Sequence, residues 1–247
     1  MQTVLITGAN RSIGLETAKQ LSKKGLLVYL GSRDLAKGEE IVEDLTEKGF
    51  KNIKAIEIDV THPVSVLKAK EQIEDEQGKL DILINNAGIL GVIPQTAEST
   101  AVEDIKNVFE TNFFGVISVT QTFLELLKKS DQPRISNITS GLGSLTLHSD
   151  PSWKYYHVKN AAYGPSKSAL NAYTIVLAYE LRDLPFKVNV IDPGYTATDF
   201  NHHNGPGSVE SAASFIVKHT LTDEHGPTGQ YFSNDIEDED EDGISPW

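Results

Sequence analysis

Tyr163 and Lys167, in the run Ala162-Tyr163-Gly164-Pro165-Ser166-Lys167, stand four positions apart, which on a helix brings phenol and ammonium to one face. A tyrosine alone, with a pKa of about 10, holds its proton too tightly to act near neutrality. A cation within a few ångströms favours the phenolate and lowers that value. The pair therefore reads as a proton donor with its own tuning charge, suited to general acid or base work. Tyr-x-x-x-Lys alone is a weak signal, because both residue types are common on surfaces, so the surroundings decide.

Those surroundings carry a second motif. Thr7-Gly8-Ala9-Asn10-Arg11-Ser12-Ile13-Gly14 follows the apolar run Val4-Leu5-Ile6 and precedes a helix-like segment, Leu15 to Lys24. This is the strand, turn and helix order that a phosphate-cradling loop requires, with the free N–H groups of a helix N-terminus facing the anion. Asn85-Asn86-Ala87-Gly88 closes a later strand, Ser140 ends another and Pro193-Gly194 a third.

The elements that must position these groups follow from periodicity. Apolar, β-branched runs at Thr3 to Thr7, Leu26 to Gly31, Ile53 to Val60, Leu80 to Asn85, Arg134 to Ser140, Lys187 to Ile191 and Gly229 to Phe232 read as seven strands. Between them lie helical patterns at Ile13 to Lys24, Leu35 to Lys48, Val64 to Gln77, Val102 to Lys129, Ala162 to Arg182 and Val209 to Thr220. Alternating strands and helices imply an α/β fold, with a parallel, doubly wound sheet covered on both faces.

With these motifs in this order from end to end, the chain resembles the short-chain dehydrogenase/reductase family in its compact form, which implies a Rossmann-type sheet of seven strands and a nicotinamide cofactor. By that resemblance Ser140 hydrogen-bonds a substrate carbonyl, Tyr163 protonates its oxygen, and Lys167 holds the nicotinamide ribose while lowering the tyrosine pKa. Asn112 anchors a water linking Lys167 to solvent. Gly8, Asn10, Arg11, Ser12, Ile13 and Gly14 form the phosphate loop, with Ser12 where the family most often has glycine. Asp59 and Val60 border the adenine, and Asn86, Ala87 and Gly88 the adenosine ribose. Pro193, Gly194, Thr196 and Thr198 are further cofactor contacts, beside Tyr163 and Lys167. At the end of the second strand Ser32 stands where relatives that use NAD carry aspartate, and Arg33 follows it. With Arg11 and Lys37 available to the same region, a guanidinium there favours a 2′-phosphate. NADPH/NADP+ is expected over NADH, with Asp34 the opposing feature. The implied reaction is reduction of ketones and aldehydes to alcohols, or its reverse.

The gap between Ser140 and Tyr163 is longer than the family's usual one. Its segment Leu145 to Asn160 carries Trp153, Tyr155 and Tyr156; Trp153 and Tyr156, with Tyr195, are candidate walls of the substrate pocket, although aromatic core packing is an equal reading. His202-His203 does not read as a metal site, because adjacent histidines do not share a helix face and no further ligands are spaced for them.

Length suits one domain over residues 1–247. A formal net charge of -13 argues against nucleic acid as a partner, and the absence of cysteine excludes disulfides and thiolate chemistry. Much of the charge sits in Asp235 to Asp242, read as a solvated loop. No apolar run approaches the length of a membrane span and no leader precedes the first strand, so a cytoplasmic protein acting on a small carbonyl compound is expected. Family resemblance favours homodimers or homotetramers; the segment before Tyr163 lies close to a helix face often used for assembly, which keeps a monomer open. Two other readings compete. One is a non-catalytic nucleotide-sensing or scaffold protein, which has no chemical need for Asn112, Ser140, Tyr163 and Lys167 together. The other is a lyase such as a halohydrin dehalogenase, for which arginine in place of Lys167 is expected.

Overall fold

The computed structural model describes residues 1–236 and 243–247, so the part of the acidic run from Glu237 to Asp242 lies outside the described residues. Seven strands, β1 (Thr3–Ile6), β2 (Leu27–Ser32), β3 (Ile53–Glu57), β4 (Ile82–Asn85), β5 (Arg134–Ile138), β6 (Lys187–Asp192) and β7 (Tyr231–Ser233), form one sheet in the order β3-β2-β1-β4-β5-β6-β7. Every neighbouring pair is parallel. The chain winds outward from β1 to β3 and then crosses back to β4. The loops after β1 and β4 therefore part in opposite directions and open a crevice at the C-terminal edge.

Among the described residues the sheet is accompanied by eight α-helices: α1 (Ser12–Lys23), α2 (Leu35–Glu47), α3 (Pro63–Gln77), α4 (Val102–Phe109), α5 (Gly115–Leu127), α6 (Leu145–Ser149), α7 (Tyr163–Glu180) and α8 (Val209–Thr220). Alternation along β1 divides the core. Val4 and Ile6 pack with Ala18, Leu21 and Ile216 of α1 and α8, while Leu5 packs on the other face with Ile73, Phe123 and Leu177 of α3, α5 and α7. No helix among the described residues is long and apolar enough to cross a membrane.

The element limits differ from the sequence reading where polar side chains take over the backbone. The third strand stops at Glu57, short of Val60, because Asp59 Oδ1 accepts the Thr61 N–H at 3.0 Å and its hydroxyl at 2.7 Å, turning the chain. The sixth strand runs one residue further, to Asp192. The expected single helix from Val102 to Lys129 is interrupted by one π-helical turn, Glu110–Phe114, whose centre is Asn112. Such widened turns collect at functional sites because they re-aim a side chain without ending the helix.

Candidate active site

The loop after β1 is shaped for a phosphate. Gly8 has φ +61°, and a Cβ there would lie 2.9 Å from the Ala87 Cα; a Cβ on Gly14 would lie 2.6 Å from Asn86 Nδ2. Only glycine allows these approaches. Asn86 Nδ2 donates to the carbonyls of Thr7 (3.0 Å) and Gly8 (2.9 Å), while Thr7 Oγ1 accepts the N–H groups of Asn86 and Ala87, both at 3.1 Å. The loops after β1 and β4 are thus one hydrogen-bonded unit, joined through Thr7, the residue that opens the glycine motif. Ser12 sits at φ +48°, in the left-handed region that explains why glycine is the usual residue there. Its hydroxyl points to Asp199 Oδ2 at 3.4 Å, across the crevice. The first-turn N–H groups of α1 have no helix carbonyl to bond and suit an anion. Asn10 and the partly buried Ile13 flank them, with Arg11 exposed at the mouth.

At the end of β2 the buried Ser32 hydroxyl is engaged locally, donating to the Asp34 carbonyl at 2.8 Å. The Asp34 carboxylate caps α2, accepting the Lys37 N–H at 3.1 Å. The acidic side chain that opposed NADPH in the sequence reading therefore has a structural partner, while Arg33 and the Lys37 side chain are exposed to solvent. Asp59 is held by Thr61, as above, and Val60 packs under Gly115, whose Cβ would meet it at 2.9 Å.

Four residues gather at the ends of β4, β5 and α7. Asn112 is fully buried; its Oδ1 accepts the Ile89 N–H at 2.8 Å, and its Nδ2 donates to the Ile89 carbonyl at 2.9 Å and to Ser166 Oγ at 3.1 Å. Ser166 in turn donates to the Tyr163 carbonyl at 2.7 Å, so the π-turn is tied to the first turn of α7. A Cβ on Gly88 would lie 3.3 Å from Asn112 Oδ1 and 3.7 Å from Lys167 Nζ, which fixes these groups around one point. Lys167 Nζ donates to the Ile138 carbonyl at 2.8 Å and stands 5.8 Å from the centre of the Tyr163 ring. Ser140 begins the short turn after β5, its Oγ accepting the Leu142 N–H at 3.2 Å.

The electrostatics differ from the simple pairing. Burial pushes Lys167 down to about 8, opposed by the carboxylate of Asp192. Burial holds Tyr163 well above its ordinary value, the charge of Asp192 adds to this, and a hydrogen bond with Ser140 opposes both. The Lys167 ammonium is engaged with the Ile138 carbonyl. Asp192 itself is raised to about 6, chiefly by burial. It was missed in the sequence, where the only signal was an acidic residue directly before Pro193-Gly194.

Two further residues carried no sequence signal. Buried Gln95 accepts the N–H groups of Ala162 and Tyr163 through Oε1, both at 3.0 Å, and donates to the Leu90 carbonyl at 2.7 Å, clamping the start of α7. Gln95→Ala leaves both helix donors without this acceptor, so a loss of about 2–4 kcal/mol in a urea unfolding experiment is expected. Phe200 lies with its ring centre 5.5 Å from that of Tyr163.

The segment from Leu145 folds against the crevice. Trp153 covers Gly141, whose Cβ would meet it at 3.2 Å, and stacks edge-on with Tyr155, which meets Tyr195 in turn. Tyr155, rather than Tyr156, completes this aromatic row; Tyr156 pairs with His157 and with the ammonium of Lys159. Across the crevice Gly194 has φ +80°, the Thr196 hydroxyl donates to its carbonyl at 3.1 Å, and Thr198 forms a capping box with Asn201. His203 contacts Asp199 at 3.0 Å, and the described residues gather no group of three metal-ligating side chains.

The sequence profile of the short chain dehydrogenases matches residues 2–208. Salutaridine reductase of Papaver bracteatum is 30% identical, over 94% of this chain and 94% of its own length. Short-chain dehydrogenase anuI of Penicillium roqueforti is 36% identical, over 96% of this chain and 94% of its own. The crystal structure of NADPH-bound carbonyl reductase from chicken fatty liver superposes with a TM-score of 0.85 at 25% identity, over 100% of this chain and 99% of that one. Matched along nearly all of its length by these enzymes and built on their sheet, the chain belongs to the short-chain dehydrogenase/reductase family and is a nicotinamide-dependent oxidoreductase.

Proposed function

We propose that this protein, as one catalytic domain spanning 1–247, reduces ketones or aldehydes to alcohols with NADPH. The observation that carries the reading is the meeting of Ser140, Tyr163, Lys167 and Asn112 at one end of a crevice whose other end is the glycine-lined loop of Gly8 and Gly14. The loop and the α1 N-terminus would hold the pyrophosphate, Asn86 to Gly88 and Asp59-Val60 the adenosine, and Lys167, Thr196 and Thr198 the nicotinamide half. When bound, the cofactor supplies hydride to the carbonyl carbon. Ser140 and Tyr163 direct two hydroxyls at the carbonyl oxygen, where negative charge develops, and so stabilise the transition state more than the ketone. The Tyr163 proton moves to that oxygen as negative charge develops on it.

The names of the relatives agree with a carbonyl substrate, one of them a reductase and one a carbonyl reductase crystallised with NADPH. A panel of ketones and aldehydes, followed by loss of the reduced cofactor's absorbance with NADPH and NADH in turn, tests the reading. Lack of turnover across the panel overturns it. The aromatic row beside Gly141 supports a role in substrate choice, so Trp153→Ala is expected to reorder the panel while changing NADPH affinity little. A fixed ranking with an earlier melt would make Trp153 a packing residue.

A further inference from the structure

We propose that Tyr231 and the segment 243–247 laid against it are positioning residues for this reaction, resting on the reductase reading above: together they fix the Ser140 peptide and the start of the segment that walls the substrate side.

The segment first follows the edge of the sheet. It runs antiparallel to β7, with Ile244 opposite Phe232; the Ser233 N–H donates to the Gly243 carbonyl and the Ser245 N–H to the Tyr231 carbonyl, both at 2.8 Å. Covering an open strand edge accounts for these bonds and needs no others. The contacts nevertheless continue past the edge. The Ser144 hydroxyl donates to the Pro246 carbonyl at 2.8 Å, and the Thr146 N–H donates to the Trp247 carbonyl at 2.9 Å. The Trp247 ring lies beside that of Tyr231, with centres 5.6 Å apart.

Tyr231 passes this hold on to the site. It is fully buried, and its hydroxyl donates to the Ser140 carbonyl at 2.9 Å. Phenylalanine would fill the same space with no hydroxyl to desolvate, so packing alone does not account for the oxygen. The Ser140 carbonyl also accepts the Gly143 N–H at 2.7 Å. Two donors from different elements therefore set the plane of the peptide that follows Ser140. With the Ser140 backbone extended, at φ -154° and ψ 150°, that plane sets the direction in which its side chain leaves the loop. The bonds to Ser144 and Thr146 fix the same loop at its other end, where α6 begins and the stretch carrying Trp153 departs.

Tyr231→Phe removes one oxygen and keeps the ring, and the Ser140 carbonyl retains the Gly143 N–H, so the variant is expected to fold. A misplacement of 1 Å at a reacting centre costs about a hundredfold in rate; loss of one of two holds should lower kcat for ketone reduction roughly tenfold, with little change in the Kd for NADPH. The discriminating measurement is a double-mutant cycle with Ser140→Ala, followed by single turnover with enzyme in excess. In that background Tyr231→Phe should change the rate little, because the group it positions is gone. A general loosening of the fold slows both backgrounds by the same factor, and that result overturns the inference, as does full activity of Tyr231→Phe alone. Trp247→Ala removes the ring behind Tyr231 while keeping the backbone carbonyls, and its effect should depend on Ser140 in the same way. No effect, or one independent of Ser140, overturns the role of the segment. Wild-type protein without turnover on any substrate overturns the reductase reading and this role with it; normal wild-type turnover with equal factors in both backgrounds overturns the positioning role alone.

Discussion

Tyr163→Phe is expected to lower kcat for ketone reduction by roughly 10³-fold or more, the range general-acid and oxyanion contributions span together, while the Kd for NADPH changes little. The phenol proton matters only as charge develops on the carbonyl oxygen, so its removal acts on the transition state and leaves ground-state binding alone. The substitution is structurally mild. The backbone of residue 163 is anchored by Gln95 through its N–H and by Ser166 through its carbonyl, and neither contact uses the phenol oxygen. Stopped-flow turnover and a fluorescence titration with NADPH, made on the same preparation, separate the two quantities. Turnover within a factor of ten of wild type would mean that another group gives the proton.

The outcome has a bearing on how the site could be read from the chain. Residues acting through a fixed local spacing were legible. Tyr163 and Lys167 announce themselves by helical periodicity, and Gly8 and Gly14 by the turn between a strand and a helix. The seven strands and their parallel order were legible as well, since a sheet buried on both faces writes continuous apolar runs into the sequence. Residues acting through distant partners were not. Gln95 reaches the start of α7 from 67 positions away, and Asp192 reaches Ser233 from 41. Nothing in either local sequence states the distance that folding closes. The π-turn at Asn112 escaped for a related reason: one widened turn barely disturbs the apolar period of a long helix, and its cause is a side-chain clamp on the backbone of Ile89. Even the paired residues were legible only in position. Their proton affinities depend on burial and on Asp192, which outweigh the simple attraction that spacing suggests.

Arg33→Asp is expected to lower kcat/KM with NADPH by about a hundredfold or more, and to leave NADH unaffected or improved. A guanidinium that meets a phosphate dianion through charge-assisted hydrogen bonds contributes a few kcal/mol, and a carboxylate in its place adds repulsion. The local structure favours this reading over one centred on Asp34. Both side chains are exposed, but the carboxylate of Asp34 is engaged with the Lys37 N–H at the start of α2. Raising salt should weaken NADPH binding more than NADH binding in wild-type protein, because only the former depends on an exposed ion pair. In the Arg33→Asp variant that difference in salt sensitivity should largely vanish. A wild type that already prefers NADH would show that Asp34 governs the ribose site in spite of its capping bond, and would reverse the cofactor assignment while leaving the proton chemistry of Tyr163 untouched.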